Sequence, residues 1–167
     1  ASVPWRVKPM ACRFSDHAGN GFISDAVQAI DFARSKGAQV INASFVSTAY
    51  SSTLYSAINS CRAAGIIFVA AAGNDAQDND VNPHYPASYD LDNIVAVAAS
   101  RAAAGLASFS DYGATSVDLA APGETGYSTF QSADDAHTGD SGTTFSSPLP
   151  DGALQIESRD LRDLRRG

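Results

Sequence analysis

The sequence predicts an α/β fold of three layers, with a mainly parallel sheet flanked by helices. Three observations predict it. Two stretches place apolar residues at helical spacing, and each stops at a glycine. A short apolar run follows each glycine, and the second of these runs lacks the alternation of a half-exposed strand. A third run of this kind lies further along. Helix and strand in this rhythm imply parallel pairing through crossovers, and such sheets bind ligands beyond the carboxyl ends of their strands.

In chain order, residues 7–14 read as a strand, with Pro9 marking its start or an edge because proline donates nothing to a ladder. Residues 16–21 carry turn chemistry centred on Gly19-Asn20-Gly21. Ser24 or Asp25 is expected to cap the first helix. Its Ala26, Ala29, Ile30 and Ala33 share one face, and Gly37 ends it. Residues 40–44 form a short strand. Leu54, Ala57, Ile58 and Cys61 mark the second helix face, which Gly65 ends. Residues 66–71 read as a strand covered on both faces. A polar loop, 75–82, precedes another apolar strand at 94–99. Residues 118–120 and 127–129 are short strand candidates split by Pro122-Gly123. Residues 142–148 leave a loop rich in Asp, Gly and Ser and look like the start of a helix. Leu149-Pro150-Asp151-Gly152 should break it. The expected division is therefore a domain over 1–148 and a divergent tail over 149–167.

Composition narrows the function. A net charge of −7 argues against nucleic acid or an anionic membrane as partner. The longest apolar run, 66–72, is far too short to cross a bilayer. Residues 1–30 show no basic segment followed by an apolar one, so no signal peptide is expected in this chain. Cys12 and Cys61 make neither a disulfide framework nor a zinc site, and both read as small buried hydrophobes.

Candidate chemistry gathers in three places. A Thr hydroxyl in the first turn of a helix at 142–148 sits among unpaired N–H groups that favour developing negative charge, which suits an acyl-transfer nucleophile. The local alternative is a helix cap. Nearby, Asp134, Asp135, His137, Asp140 and Ser141 contain every residue type of a Ser-His-Asp site, so Ser141 with His137 is an alternative nucleophile and base. His17 and His84 fall in loops and are expected to be solvated. Asp75, Asp78 and Asp80 offer oxygen ligands to a hard cation such as calcium, or form a solvated acidic loop. No cofactor is required.

Ordered motifs then give a family resemblance. Val40-Ile41-Asn42-Ala43-Ser44-Phe45 resembles the substrate-binding strand of the subtilisin-like serine proteases, and Ala71-Ala72-Gly73-Asn74 resembles their oxyanion-hole segment. Tyr85-Pro86-Ala87-Ser88, residues 107–113 and residues 118–123 match further family segments. Gly142-Thr143-Thr144-Phe145-Ser146-Ser147-Pro148 is similar to the nucleophile motif, with Thr144 where the family has Ser. These stretches cover about residues 5–148 in the family's order.

The resemblance implies a partial subtilisin-like fold. Asn74 would donate to the oxyanion, a contribution of about 10²–10³ in rate known from subtilases themselves. Ser44, Phe45, Val46, Ala72 and Gly73 would line the substrate. Val46 and Ser47 replace two glycines, and their side chains would crowd an extended peptide. The family's catalytic Asp and His lie ahead of the segment matching residues 7–14, and no matching motif occurs here. The expectation is a truncated subtilase-like hydrolase, weak on esters and weaker on peptides. The alternative is an inactive remnant that binds peptides or self-associates through exposed apolar faces. A third reading is a split enzyme completed by another chain. Secretion is the family's implication for localisation.

Overall fold

A computed structural model describes residues 8–16, 20–102, 104–124, 126–129 and 137–146 of the protein. Four parallel strands form one sheet in the order β1-β2-β3-β4. They are β1 (Val40–Ala43), β2 (Ile67–Ala71), β3 (Ile94–Ser100) and β4 (Leu119–Pro122). The register pairs Ile41 with Phe68, Val69 with Val95, and Ala98 with Ala120. A separate antiparallel pair joins β5 (Gly126–Thr129) to β6 (His137–Asp140).

Helix α1 (Ile23–Ser35) precedes β1, and α2 (Ser52–Ala63) connects β1 to β2. Both helices end as expected, with Gly37 at φ 78° and Gly65 at φ 73° supplying the left-handed turn. The second starts at a cap, where the Ser51 hydroxyl accepts from Leu54 N–H at 3.3 Å. The first starts differently from expectation. Its N-cap is Phe22, without a side-chain cap, and Ser24 and Asp25 lie inside the first turn. Asp25 still serves there, because a carboxylate is favoured near the unpaired N–H groups.

The two helices pack on one face of the sheet. Ile30, Leu54, Ile58 and Cys61 meet Phe68, Ala70, Ile94 and Ala96 in one buried cluster. The alternating residues Val69, Val95, Val97 and Ala121 form a second cluster on the other face. This explains why residues 94–99 lack alternation, since all six are buried. Leu54, Ile58 and Phe68 are fully buried, and each contributes about 1.5–3 kcal/mol by leaving water.

Two elements depart from the sequence reading. Residues 8–14 form no strand, and among the described residues the only pairing nearby is the isolated bridge Ser15–Gly21. A strand needs a neighbour for its N–H and C=O groups, and among the described residues none lies beside them. Cys12 is accordingly half-buried on a loop rather than in a sheet, and both cysteines are free. Strand β6 falls in the stretch read as a polar loop. His17, Asp134, Asp135 and residues 147–167, including the expected tail, lie outside the described residues.

Candidate active site

Strands β1 and β2 run parallel side by side, so the residues that follow them emerge together. Ser44, Phe45 and Val46 follow β1, while Ala72, Gly73 and Asn74 follow β2. The structure thus brings the expected substrate-lining residues to one edge of the sheet. Phe45 packs edge-on against Phe14 with ring centroids 5.0 Å apart. Ser47 exchanges two backbone hydrogen bonds of 2.8 Å with Tyr85, which ties the end of β1 to the loop before β3. Val46 is 37% exposed.

The short helix α3 (Thr143–Ser146) packs against β3 and also touches β2 and β4. Its first residue, Thr143, is fully buried and grips the segment after β2. Thr143 N–H and its hydroxyl both donate to Asn74 Oδ1, at 2.9 and 3.0 Å. The same hydroxyl accepts from Gly73 N–H at 3.3 Å. A backbone N–H can only donate, so the atom facing it must be the amide oxygen. Asn74 Nδ2 is therefore on the opposite side, and it has no hydrogen bond among the described residues. Asn74 itself is exposed. Thr144 occupies the second position of α3. Ser141 is exposed just beyond β6, whose first residue is His137, so an extended run separates the two.

A second grip comes from below. Asp111 is fully buried. Its Oδ1 accepts from the N–H groups of Asp75 and Gln77, each at 2.9 Å. Its own N–H donates to Gly73 O at 2.9 Å. Its Oδ2 bonds to His84 Nδ1. Gly73 sits between these groups at φ 128°, and a Cβ there would lie 2.0 Å from Asp111 Oδ2. Only glycine fits that backbone and that contact.

His84 is thus a correction to the sequence reading. It is 5% exposed, packed against Asp111, not solvated. The signal was not local: the loop containing His84 is folded in by the Ser47–Tyr85 pairing, which residue spacing does not reveal. Thr143 and Asp111 were also missed as positioning residues. Thr143 stands beside the nucleophile position and was overshadowed by it. Asp111 lies in a family segment but carries no pattern that announces a buried carboxylate.

The acidic loop is divided by the structure. Asp75 faces His84. Asp80 instead holds the turn at 114–116, accepting from Ala114 N–H at 2.8 Å and Ser116 N–H at 2.9 Å. The Ser116 and Thr115 hydroxyls beside it, with those amides, hold the Asp80 carboxyl down to about 2. Asp78 accepts from Asp80 N–H at 3.0 Å.

With this geometry in view, relatives can be compared. A model of the Subtilase family matches residues 2–153. The chain belongs to the subtilase family. It is 40% identical over 139 residues to a thermophilic serine proteinase of Bacillus sp. (strain AK1), covering 83% of this chain and 33% of that one. It is 37% identical over 147 residues to subtilisin DY of Bacillus licheniformis, covering 87% of this chain and 52% of that one. Among solved structures, a cold adapted subtilisin-like serine proteinase superposes with TM-score 0.76 at 28% identity, covering 87% of this chain and 53% of that one. The fold is therefore the three-layer α/β fold of subtilisin-like proteins, and this subtilase chain spans about half, or less, of the length of those relatives.

Proposed function

We propose that this chain carries the oxyanion and nucleophile part of a subtilase hydrolytic site, and that it hydrolyses ester bonds weakly. The supporting observation is the double donation from Thr143 to Asn74 Oδ1, which leaves Nδ2 of this exposed residue without a hydrogen bond among the described residues. In the reaction the Thr144 hydroxyl adds to the ester carbonyl carbon and its proton passes to water. The carbonyl electron pair moves onto oxygen, where Asn74 Nδ2 donates to it. Collapse expels the alcohol oxygen, and water then releases the acyl group from Thr144.

Activated esters suit this site because their leaving groups depart without a proton. A peptide amine must be protonated as it leaves, a task the family gives to a His held by an Asp. A fragment carrying those two family segments, added in trans, is expected to raise peptide cleavage. Calcium is not needed for either step. Export is part of this reading, because the relatives include a minor extracellular protease of Bacillus subtilis.

The test is p-nitrophenyl ester hydrolysis by the wild type beside Asn74→Ala, Thr144→Ala and His137→Ala. Asn74→Ala should lose about 10²-fold if its amide meets the oxyanion. Thr144→Ala should abolish acylation, and His137→Ala should change little. Equal rates for wild type, Asn74→Ala and Thr144→Ala would sink the proposal.

One observation favours a second reading, a self-associating module. Phe22 is 77% exposed and Phe32 is 50% exposed, at the cap and on the surface of α1. Sedimentation over a range of concentrations tests it, and a monomer throughout would exclude it.

A further inference from the structure

His84, Asp75 and Asp111 make a cluster with no part in the ester chemistry above. Their ligand atoms lie within 4.8 Å of one another. Three hydrogen bonds hold the Asp111 carboxylate in place: Oδ1 takes two amides and Oδ2 takes His84 Nδ1. A carboxylate only accepts, so the proton of this bond sits on Nδ1. That fixes the tautomer and leaves Nε2 as the ring's ligand atom. Nε2 has no hydrogen bond among the described residues. It faces Asp75 Oδ2 at 3.9 Å, and that carboxylate has no hydrogen bond either. His84 is more than nine-tenths buried, and Asp75 is two-thirds exposed. A buried ring nitrogen therefore looks out at an adjustable carboxylate across a gap too wide for a hydrogen bond.

We propose that His84 Nε2 and the Asp75 carboxylate bind a divalent ion of borderline softness, such as zinc. Asp111 stands behind the imidazole as the group that orients it. The carboxylate–histidine–metal arrangement is the usual way a ligating imidazole is fixed and made more basic. Two ligands about 2.0–2.1 Å from a tetrahedral ion stand roughly 3.4 Å apart, so Asp75 needs to close only about 0.5 Å. Imidazole selects zinc, cobalt, nickel or copper over calcium, which prefers oxygen. Water fills the remaining positions, so the affinity is modest. The site adjoins Asn74, yet the inference is independent of the hydrolytic proposal and is read without substrate.

Zinc is titrated into the 167-residue chain by calorimetry, while nitrogen–proton correlation NMR follows the His84 ring. Without metal the ring should carry its proton on Nδ1. Zinc should shift Nε2, with one equivalent bound there. His84→Ala and Asp75→Ala should each weaken binding about tenfold or more, and Asp111→Asn about 10–100-fold. Asp75 is exposed, so its substitution leaves the buried structure intact even if His84→Ala or Asp111→Asn perturbs folding. The proposal fails if wild type and Asp75→Ala bind zinc equally. It also fails if zinc leaves Nε2 unshifted.

Discussion

Removing the Asp111 carboxylate tests whether the segment carrying Asn74 is held in place from below. Asp111→Ala deletes one acceptor for His84 and one shared by the amides of Asp75 and Gln77. Hydrogen bonds to a charged group are worth about 1.5–3 kcal/mol each, and a buried donor left alone costs about 1–3 kcal/mol. The two amides are only partly buried and can recover water, so they forfeit less than the full amount. His84 has no such recourse at Nδ1. Together the loss should be about 3–5 kcal/mol. Asp111→Asn keeps Oδ1 for the two amides. Its new NH₂ meets His84 Nδ1, and the ring can switch tautomer to accept from it. The expected loss is about 1–2 kcal/mol. Asp90→Ala, at an exposed acid, should stay within about 0.5 kcal/mol. Equilibrium urea unfolding of the full chain measures all three. If Asp111→Ala is no more destabilised than Asp90→Ala, Asp111 does not anchor the segment and the reasoning is wrong.

Other substitutions probe the same frame. Gly73→Ala should cost about 3 kcal/mol or more, because φ 128° is strained for alanine and its Cβ would displace the Asp111 carboxylate; a thermal midpoint within two degrees of wild type would refute this. Ser146→Ala should be neutral or stabilising by about 1 kcal/mol, since the Ser146 hydroxyl is buried without a hydrogen-bond partner among the described residues; clear destabilisation would reveal a partner. For Asp80, the folded carboxyl titrates at about 2, below its ordinary value of 3.8. Its contribution is therefore present above pH 4 and lost as pH falls through about 2. Urea midpoints measured down that range should fall less steeply for Asp80→Asn than for wild type, and parallel curves would contradict the assignment.

The helices and the parallel strands were legible because their signals are local. Ala26, Ile30 and Ala33 bury one face of α1, and Leu54, Ala57, Ile58 and Cys61 bury one face of α2, as their spacing predicts. Gly37 and Gly65 end those helices with the backbone that glycine permits. Residues 8–14 misled because β-favouring composition says nothing about whether a partner strand is adjacent. Strand β6 was missed because His137–Asp140 is polar and no two-residue turn signal links it to β5, which pairs with it across residues 130–136. His84 misled for the same reason. Loop residues are usually solvated, and only the pairing of Tyr85 with Ser47, 38 residues earlier in the chain, folds this one inward. The family motifs located Asn74 and Thr144 by position, whereas Thr143 and Asp111 became visible only as contacts.

Those contacts separate scaffold from chemistry, and Thr144→Ser tests the separation. Asn74 is held through Thr143, and Gly73 through Asp111, so neither grip involves the residue at 144. The substitution removes a γ-methyl and leaves the hydroxyl. Two heavy atoms on Cβ restrict χ1 of a threonine in a helix, whereas a serine turns its hydroxyl more freely. An off-rotamer χ costs about 0.5–1.5 kcal/mol in general, so the added freedom is worth up to about tenfold in rate. Stability should change by less than about 0.5 kcal/mol, because neither grip on the Asn74 segment is altered. The expected result is a gain of up to about tenfold in fluorophosphonate labelling at residue 144, with an unchanged urea midpoint. Adding Asn74→Ala should remove most of that gain, because the faster attack still needs its oxyanion donor. If labelling stays flat while the fold is intact, hydroxyl geometry at 144 does not limit the reaction, and the oxyanion segment would be a preserved scaffold without its chemistry.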